Sequence, residues 1–248
     1  RCFFCSDDRS PVDLIKNGHI DDILRRAVRS GIPPITALQM ATNNAPYYFR
    51  LPRRKGAVAV GYAADLVVFG SLRKFDARMV FKGGKLVARD GELVAHLPRR
   101  APIPRNTMRV AGLSLKRLEL ATSKRRARVI GIVPGQIVTK ALEMAIRPEA
   151  GVVGQDTRRD VLKLAVIDRH HGSGRVGLGF VKGFGLKRGA LASTVCHDSH
   201  NLIVVGASDE DMLAAAELLV SCGGGFAAVA GGKVEGLMPL PIAGLMSE

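Results

Sequence analysis

The sequence has no tryptophan and only three tyrosines in 248 residues. It therefore has few of the aromatic platforms on which single-stranded nucleic acids stack. No apolar run reaches the roughly 18 residues that a membrane-spanning helix needs, so the expectation is a soluble, cytoplasmic protein without a membrane partner. Cysteine is scarce, with only Cys2, Cys5, Cys196 and Cys222. The Cys2-x-x-Cys5 spacing suggests zinc or redox chemistry, but no second such pair or matching histidine pair follows it. In a strand-like run the two thiols would also face opposite ways, and buried, reduced cysteines are expected instead. The N-terminus, Arg1-Cys2-Phe3-Phe4-Cys5-Ser6-Asp7-Asp8, lacks an initiator methionine and any signal-peptide layout. A chain that opens inside such an apolar run reads as part of a longer protein.

Composition is that of a globular protein, with 47% hydrophobic and 24% charged residues. The net charge of +15 is large. Its basic clusters are Arg53-Arg54-Lys55, Arg99-Arg100, and Lys124-Arg125-Arg126 with Arg128. Such an excess raises affinity for polyanions, so a basic nucleic-acid-binding module is one alternative. The clusters are short, scattered and without interleaved aromatics, which favours solvated faces.

Residues 1–51 read as strand, loop and helices. Phe3-Phe4-Cys5 is a short apolar run ending in Ser-Asp-Asp. Pro11 opens a helix that Asn17-Gly18 stops. Ile20, Ile23, Leu24, Ala27 and Val28 recur at helical spacing, acids early and bases late as the helix dipole favours. Gly31 ends this helix and Pro33-Pro34 open another. A strand whose C-terminal end delivers acids, followed by helices, is how α/β barrels present active-site residues. Residues 52–97 switch to period two, with a strand at Leu66–Phe69 and hairpin signals at Gly83-Gly84 and Asp90-Gly91.

A Pro-rich linker spans residues 98–109. Beyond it, short strands are expected around Val129–Val133, Ile137–Val138 and Val161–Ile167. The glycine-dense stretch from Gly172 to Gly189 reads as tight turns close to the barrel mouth. It fits neither phosphate-binding motif: the P-loop ending is missing and the dinucleotide spacing is off by one. Leu202–Val205 is a strand, Ser208 caps a helix with Asp211 three residues on, and Gly231-Gly232 turns a last hairpin. Few helices among many strands make this region α+β.

Several segments resemble a known family. Thr42-Asn43-Asn44-Ala45-Pro46 before Phe49-Arg50-Leu51 resembles the amidohydrolase pattern T-x-N-P-A-x-x-x-G-L, with the Pro-Ala order reversed and Arg50 in place of glycine. The run from Lys55 to Val68, ending Gly61-Tyr62-Ala63-Ala64-Asp65-Leu66-Val67-Val68, resembles G-x-I-x-x-G-x-x-A-D-L-V-V. Phe4-Cys5-Ser6-Asp7-Asp8 is similar to the F-C-T-D-D segment of adenine deaminases. So are the stretch from Gly177 to Ala190, His197-Asp198-Ser199-His200-Asn201, and the ending from Pro239 to Met246. The resemblance covers nearly the whole chain.

This resemblance implies a mixed α/β and β fold in three parts. Residues 1–51 would be the C-terminal end of a (β/α)8 amidohydrolase barrel, 52–104 a small β-sandwich, and 105–248 an α+β C-terminal domain. The implied activity is metal-dependent hydrolysis of adenine to hypoxanthine and ammonia. The cofactor would be a divalent metal, manganese or iron, binuclear in the intact enzyme. Asp7 is then both metal ligand and catalytic proton shuttle. Asp8, His19, His197 and His200 are substrate-side candidates. The other expected ligands, a His-x-His pair, a bridging glutamate and two further histidines, belong to the missing N-terminal barrel segment, so this chain alone is expected to be inactive. The intact protein is expected to be a homo-oligomer.

Alternatives stand beside this reading. Another base or cyclic amidine would suit the same barrel. Asp7-Asp8 read alone is a helix-capping turn, and His19 can simply lie in a helix's first turn. His197 and His200 read either as a turn stabilised by Asp198 and Ser199 or as part of a lid.

Overall fold

Ser10 and Pro11 begin the first helix for separate reasons. The Ser10 hydroxyl accepts the Asp13 N–H at 3.1 Å, and Pro11 occupies a first-turn position whose missing N–H costs nothing. A computed structural model describes residues 2–51, 54–95 and 103–247. They divide into two units, residues 1–99 and 100–248, so the cut falls within the Pro-rich stretch. Residues 96–102 of that region lie outside the described residues.

In the first unit, α1 (Pro11–Asn17) ends at Gly18, whose φ of 96° a side chain would resist. Then come α2 (Ile20–Arg29), α3 (Pro34–Ala41) and α4 (Asn44–Tyr48). The α2 periodicity is realised as expected: Leu24 and Ala27 are buried and join Ala37 and Phe75 in one core. Phe69 meets Phe75 edge-on, with ring centroids 5.4 Å apart, a favoured aromatic geometry. A four-stranded antiparallel sheet follows, β1 (Leu66–Phe69), β2 (Ala77–Lys82), β3 (Lys85–Arg89) and β4 (Glu92–Leu93), in sequential order. Gly83-Gly84 and Asp90-Gly91 turn its hairpins. Asp65 shows what the Ala-Asp-Leu-Val-Val segment does physically. Its carboxylate accepts the Gly83 N–H at 3.0 Å and the Lys82 ammonium at 2.6 Å, tying β1 to the β2–β3 turn.

Phe3–Cys5 forms no strand. A ladder needs a neighbouring edge, and the one backbone bond here runs from Phe4 N–H to the Met40 carbonyl at 3.0 Å. The apolar run packs instead against α4, with Phe3 against Tyr48 and Phe49 at 5.2 and 5.7 Å. All four cysteines are free thiols, but Cys2 and Cys5 are exposed rather than buried because no strand turns either inward.

The second unit is built on an eight-stranded sheet. Its strands are β5 (Arg126–Ile132), β6 (Thr139–Ala145), β7 (Leu162–Ile167), β8 (Val176–Lys182), β9 (Ala190–Cys196), β10 (Asn201–Gly206), β11 (Gly225–Ala230) and β12 (Lys233–Pro239). The order is β12-β11-β9-β10-β7-β8-β5-β6, antiparallel throughout except for the β5–β8 pair. One helix, α6 (Asp209–Cys222), covers a face of β9, β10 and β11 through Met212, Ala215, Ala216 and Leu219. A short α5 (Leu115–Leu118) adds Leu118 to the same core. Ser208 caps α6 by accepting the Asp211 N–H, as its spacing to Asp211 suggested. A Cβ at Gly206 would collide with Met212, so glycine lets the helix lie close on β10.

Two sequence readings need correction. The glycine-dense stretch is not all turn, since Val176–Lys182 is an interior strand between β7 and β5. Phe180 and Val181 within it are buried, and burial there outweighs the weak strand preference of Gly177 and Gly179. Ile137 and Val138 precede rather than form their strand, which begins at Thr139 on the sheet edge.

Candidate active-site loop

Asp7 and Asp8 lie in the turn between the Phe3–Cys5 segment and α1, and both are exposed. Asp7 has a φ of 47°, in the left-handed region that a non-glycine residue enters only when its neighbours hold it there. Those neighbours are identifiable. On one side, the Ser6 hydroxyl and His19 Nε2 are 2.7 Å apart. On the other, Arg9 donates to the Gly18 carbonyl and to Asp22 Oδ2, both at 2.8 Å. The side chains of Arg9 and Asp22 are each only 15% exposed, so their pairing is shielded from water. The acidic pair is thus gripped from both flanks by the α1–α2 turn.

Asp21 completes the arrangement. Its carboxylate accepts the His19 backbone N–H at 2.7 Å and pairs with Arg25 at 2.8 Å. Partial burial pushes the Asp21 carboxyl up, but the His19 N–H and the Arg25 guanidinium outweigh it and hold it below the usual range. Arg25 also donates to the Asn17 carbonyl at 2.6 Å, bracing the same turn. The structure therefore gathers Asp7, Asp8 and His19 in one loop region. Ser6, Arg9, Asp21 and Asp22 hold this loop, and sequence reasoning passed over them. The signal was present in a serine beside the acidic pair, an arginine directly after it, and two acids opening α2.

His197 and His200 lie in the second unit, in the turn joining β9 to β10. Their rings are 5.8 Å apart and perpendicular. His197 Nδ1 contacts the Asp198 carboxylate. The turn is anchored by Arg169, which is only 1% exposed and donates to the carbonyls of His200 and Ala243 at 2.5 and 3.0 Å. The loop from Asp168 to Arg175 lies alongside, with His170 Nε2 3.0 Å from the Ser199 carbonyl. There the Ser173 hydroxyl and the His170 N–H hold the Asp168 carboxyl far below the usual range. This web accounts for the turn, and the expected Asp198 and Ser199 contribution is only part of it.

Among the described residues no three His, Cys, Asp or Glu side chains converge as a metal would require. Asp7 and Asp8 do not meet a divalent ion's ligand count, so the residues present do not fit an implied metal centre by themselves.

Comparison with known proteins places this geometry. Residues 1–87 match the model of the amidohydrolase family. Residues 136–248 match that of the adenine deaminase C-terminal domain. Adenine deaminase 2 of Carboxydothermus hydrogenoformans is 51% identical over all of this chain and 44% of its own length. The adenine deaminase of Oleidesulfovibrio alaskensis is 49% identical over 99% of the chain and 42% of its own length. That of Methanothrix thermoacetophila is 47% identical over 98% and 42%. The chain thus spans less than half the length of these relatives. Similarity to adenine deaminases thus runs from the chain's first residues to its last, with an amidohydrolase match at one end and an adenine deaminase C-terminal match at the other.

Proposed function

We propose that this chain serves the hydrolytic deamination of adenine. Water adds at the amine-bearing purine carbon, the C–N bond breaks, and hypoxanthine and ammonia leave. The observation that carries the reading is the 51% identity to a named adenine deaminase along the whole chain.

Asp7 is the proposed catalytic carboxylate. It takes a proton from the attacking water and returns one to the departing amine, the usual work of a positioned acid–base group. Its exposure gives it access to solvent and substrate. The Arg9 and Ser6–His19 contacts keep its loop from wandering, which supports the assignment because proton transfer needs hydrogen-bond reach. Asp8 and His19 are proposed to face the substrate side of the same loop. Residues 1–51 would then be the end of a barrel, 52–104 a small β-sandwich and 105–248 an α+β C-terminal domain. The divalent cofactor, manganese or iron, is also part of this proposal. Asp7 supplies only one ligand, and the proton steps above rest on Asp7 alone.

Substrate profiling of a full-length enzyme containing these residues tests the reading. Adenine should give the highest kcat/KM among adenine, guanine, cytosine and cyclic amidines. A different base or amidine exceeding adenine by about 100-fold, near 2.7 kcal/mol of transition-state preference, would move the chain to another amidohydrolase activity.

A further inference from the structure

One of the basic clusters of the sequence lies in the second unit. Lys124, Arg125, Arg126 and Arg128 line one groove of about 840 Å³. All four are exposed. The alternation of β5 sends Arg126 and Arg128 outward while Ala127 and Val129 turn into the core. A single acid shares the groove, Glu143 on β6, and it is matched to Arg126 at 2.7 Å. Among the described residues, no ion pair engages Lys124, Arg125 or Arg128.

Apart from Thr122, the rest of the groove is apolar. Ile130, 43% exposed, shares a face of the sheet with Arg126, Arg128 and Gly179. A Cβ at Gly179 would meet nothing within 4 Å, so the space beside Ile130 is open. The groove therefore has several unpaired cations beside an apolar surface large enough for a planar group. Its volume lies within the range of small-molecule sites. Guanidinium planes both pair with phosphate oxygens in a forked geometry and stack on flat rings.

We propose that this groove binds a nucleoside polyphosphate, its phosphates on Arg125, Arg128 and Lys124 and its base over Ile130 and Gly179. A compact ligand fits better than a nucleic-acid strand, because the cations cluster in one groove and no aromatic side chain on its floor is exposed for successive bases to stack on. The proposal is independent of the reaction assigned to Asp7. It concerns a second ligand of the same chain.

Isothermal titration of the 248-residue chain with adenosine triphosphate, inorganic triphosphate and a 20-nucleotide single strand tests it. Adenosine triphosphate should bind with micromolar to submillimolar Kd and several-fold more tightly than inorganic triphosphate. Combining Arg125→Gln with Arg128→Gln should weaken binding at least tenfold while circular dichroism and the melting temperature stay unchanged. Ile130→Asp should weaken adenosine triphosphate more than inorganic triphosphate. The proposal is overturned by no binding at millimolar ligand, or by equal affinity for the two triphosphates. Full affinity in the double variant overturns it too. So does a strand that binds more tightly than the nucleotide and loses affinity steeply with salt, which would make the groove a nucleic-acid surface.

Discussion

Under the proposed function, single residues divide into those that face the chemistry and those that hold them there. Arg9 is of the second kind, since its guanidinium joins the Gly18 carbonyl and Asp22 behind the acidic pair. Arg9→Ala in the full-length enzyme should lower kcat about tenfold or more with little change in KM, because a small displacement of a catalytic group is costly. Arg9→Lys should recover only part of the loss, since an ammonium cannot reproduce the two-pronged contact. An unchanged kcat in Arg9→Ala would remove Arg9 from the machinery. Asp7 itself was singled out in the sequence only through the family resemblance. Its clamp was not, because Arg9, Ser6 and His19 meet across a turn that no local pattern specifies.

In the second unit Lys163, Asp209 and Asp211 are structural. Lys163 is fully buried, and its ammonium is 2.7 Å from both Asp209 oxygens and 2.8 Å from the Leu118 carbonyl. Asp209→Ala would strand that cation and should cost about 3–5 kcal/mol in urea denaturation. Asp211 titrates in a readable way. Burial pushes its carboxyl up, but the Gly232 and Gly231 N–H groups outweigh this and set it below its ordinary 3.8. A depressed carboxyl contributes stability above its unfolded value and loses it as pH falls through the folded one. Asp211→Ala should therefore be destabilised at pH 7, the gap to wild type closing as pH is lowered through 3.8 and below. A gap that widened in acid would contradict this account.

Elements were legible where one periodicity and one stop signal agreed. α1, α2 and α3 and the two hairpins of the first unit all carried proline, glycine or serine punctuation at their ends. β8 was hidden because its strand pattern is diluted by glycines, and only its neighbours β7 and β5 on either side make it a strand. β6 was hidden because edge strands keep polar residues, as Lys140 and Glu143 show. α4 was hidden by the proline at its centre, which is tolerated because a five-residue helix has its first turn there. The close seat of α6 yields a prediction at this scale. Gly206→Ala forces a methyl into Met212 and should cost about 1–3 kcal/mol, read as a lowered melting temperature. Met212→Ala should cost less in the Gly206→Ala background than in wild type, because it relieves the collision there. An equal cost in both backgrounds would mean that the collision lies elsewhere.

At the scale of the whole chain, the two units carry different parts of the account. The first holds the acidic loop and shares one core between its helices and its sheet. The second holds the eight-stranded sheet, the buried Lys163–Asp209 pair and the basic groove. The family resemblance could be read from dispersed motifs because each marks a place where backbone geometry restricts choice. Asp65 at the β2–β3 turn is the clearest case. The metal centre that the resemblance implies is not legible here, since among the described residues no three His, Cys, Asp or Glu side chains converge. The central claim is that Asp7 carries the proton in adenine deamination. It is tested most directly by the rate of hypoxanthine formation from adenine, comparing full-length enzyme with its Asp7→Asn variant at equal folding and metal content. The account predicts a fall in kcat of about 10²–10⁴-fold or more; a rate within a few-fold of wild type would contradict it.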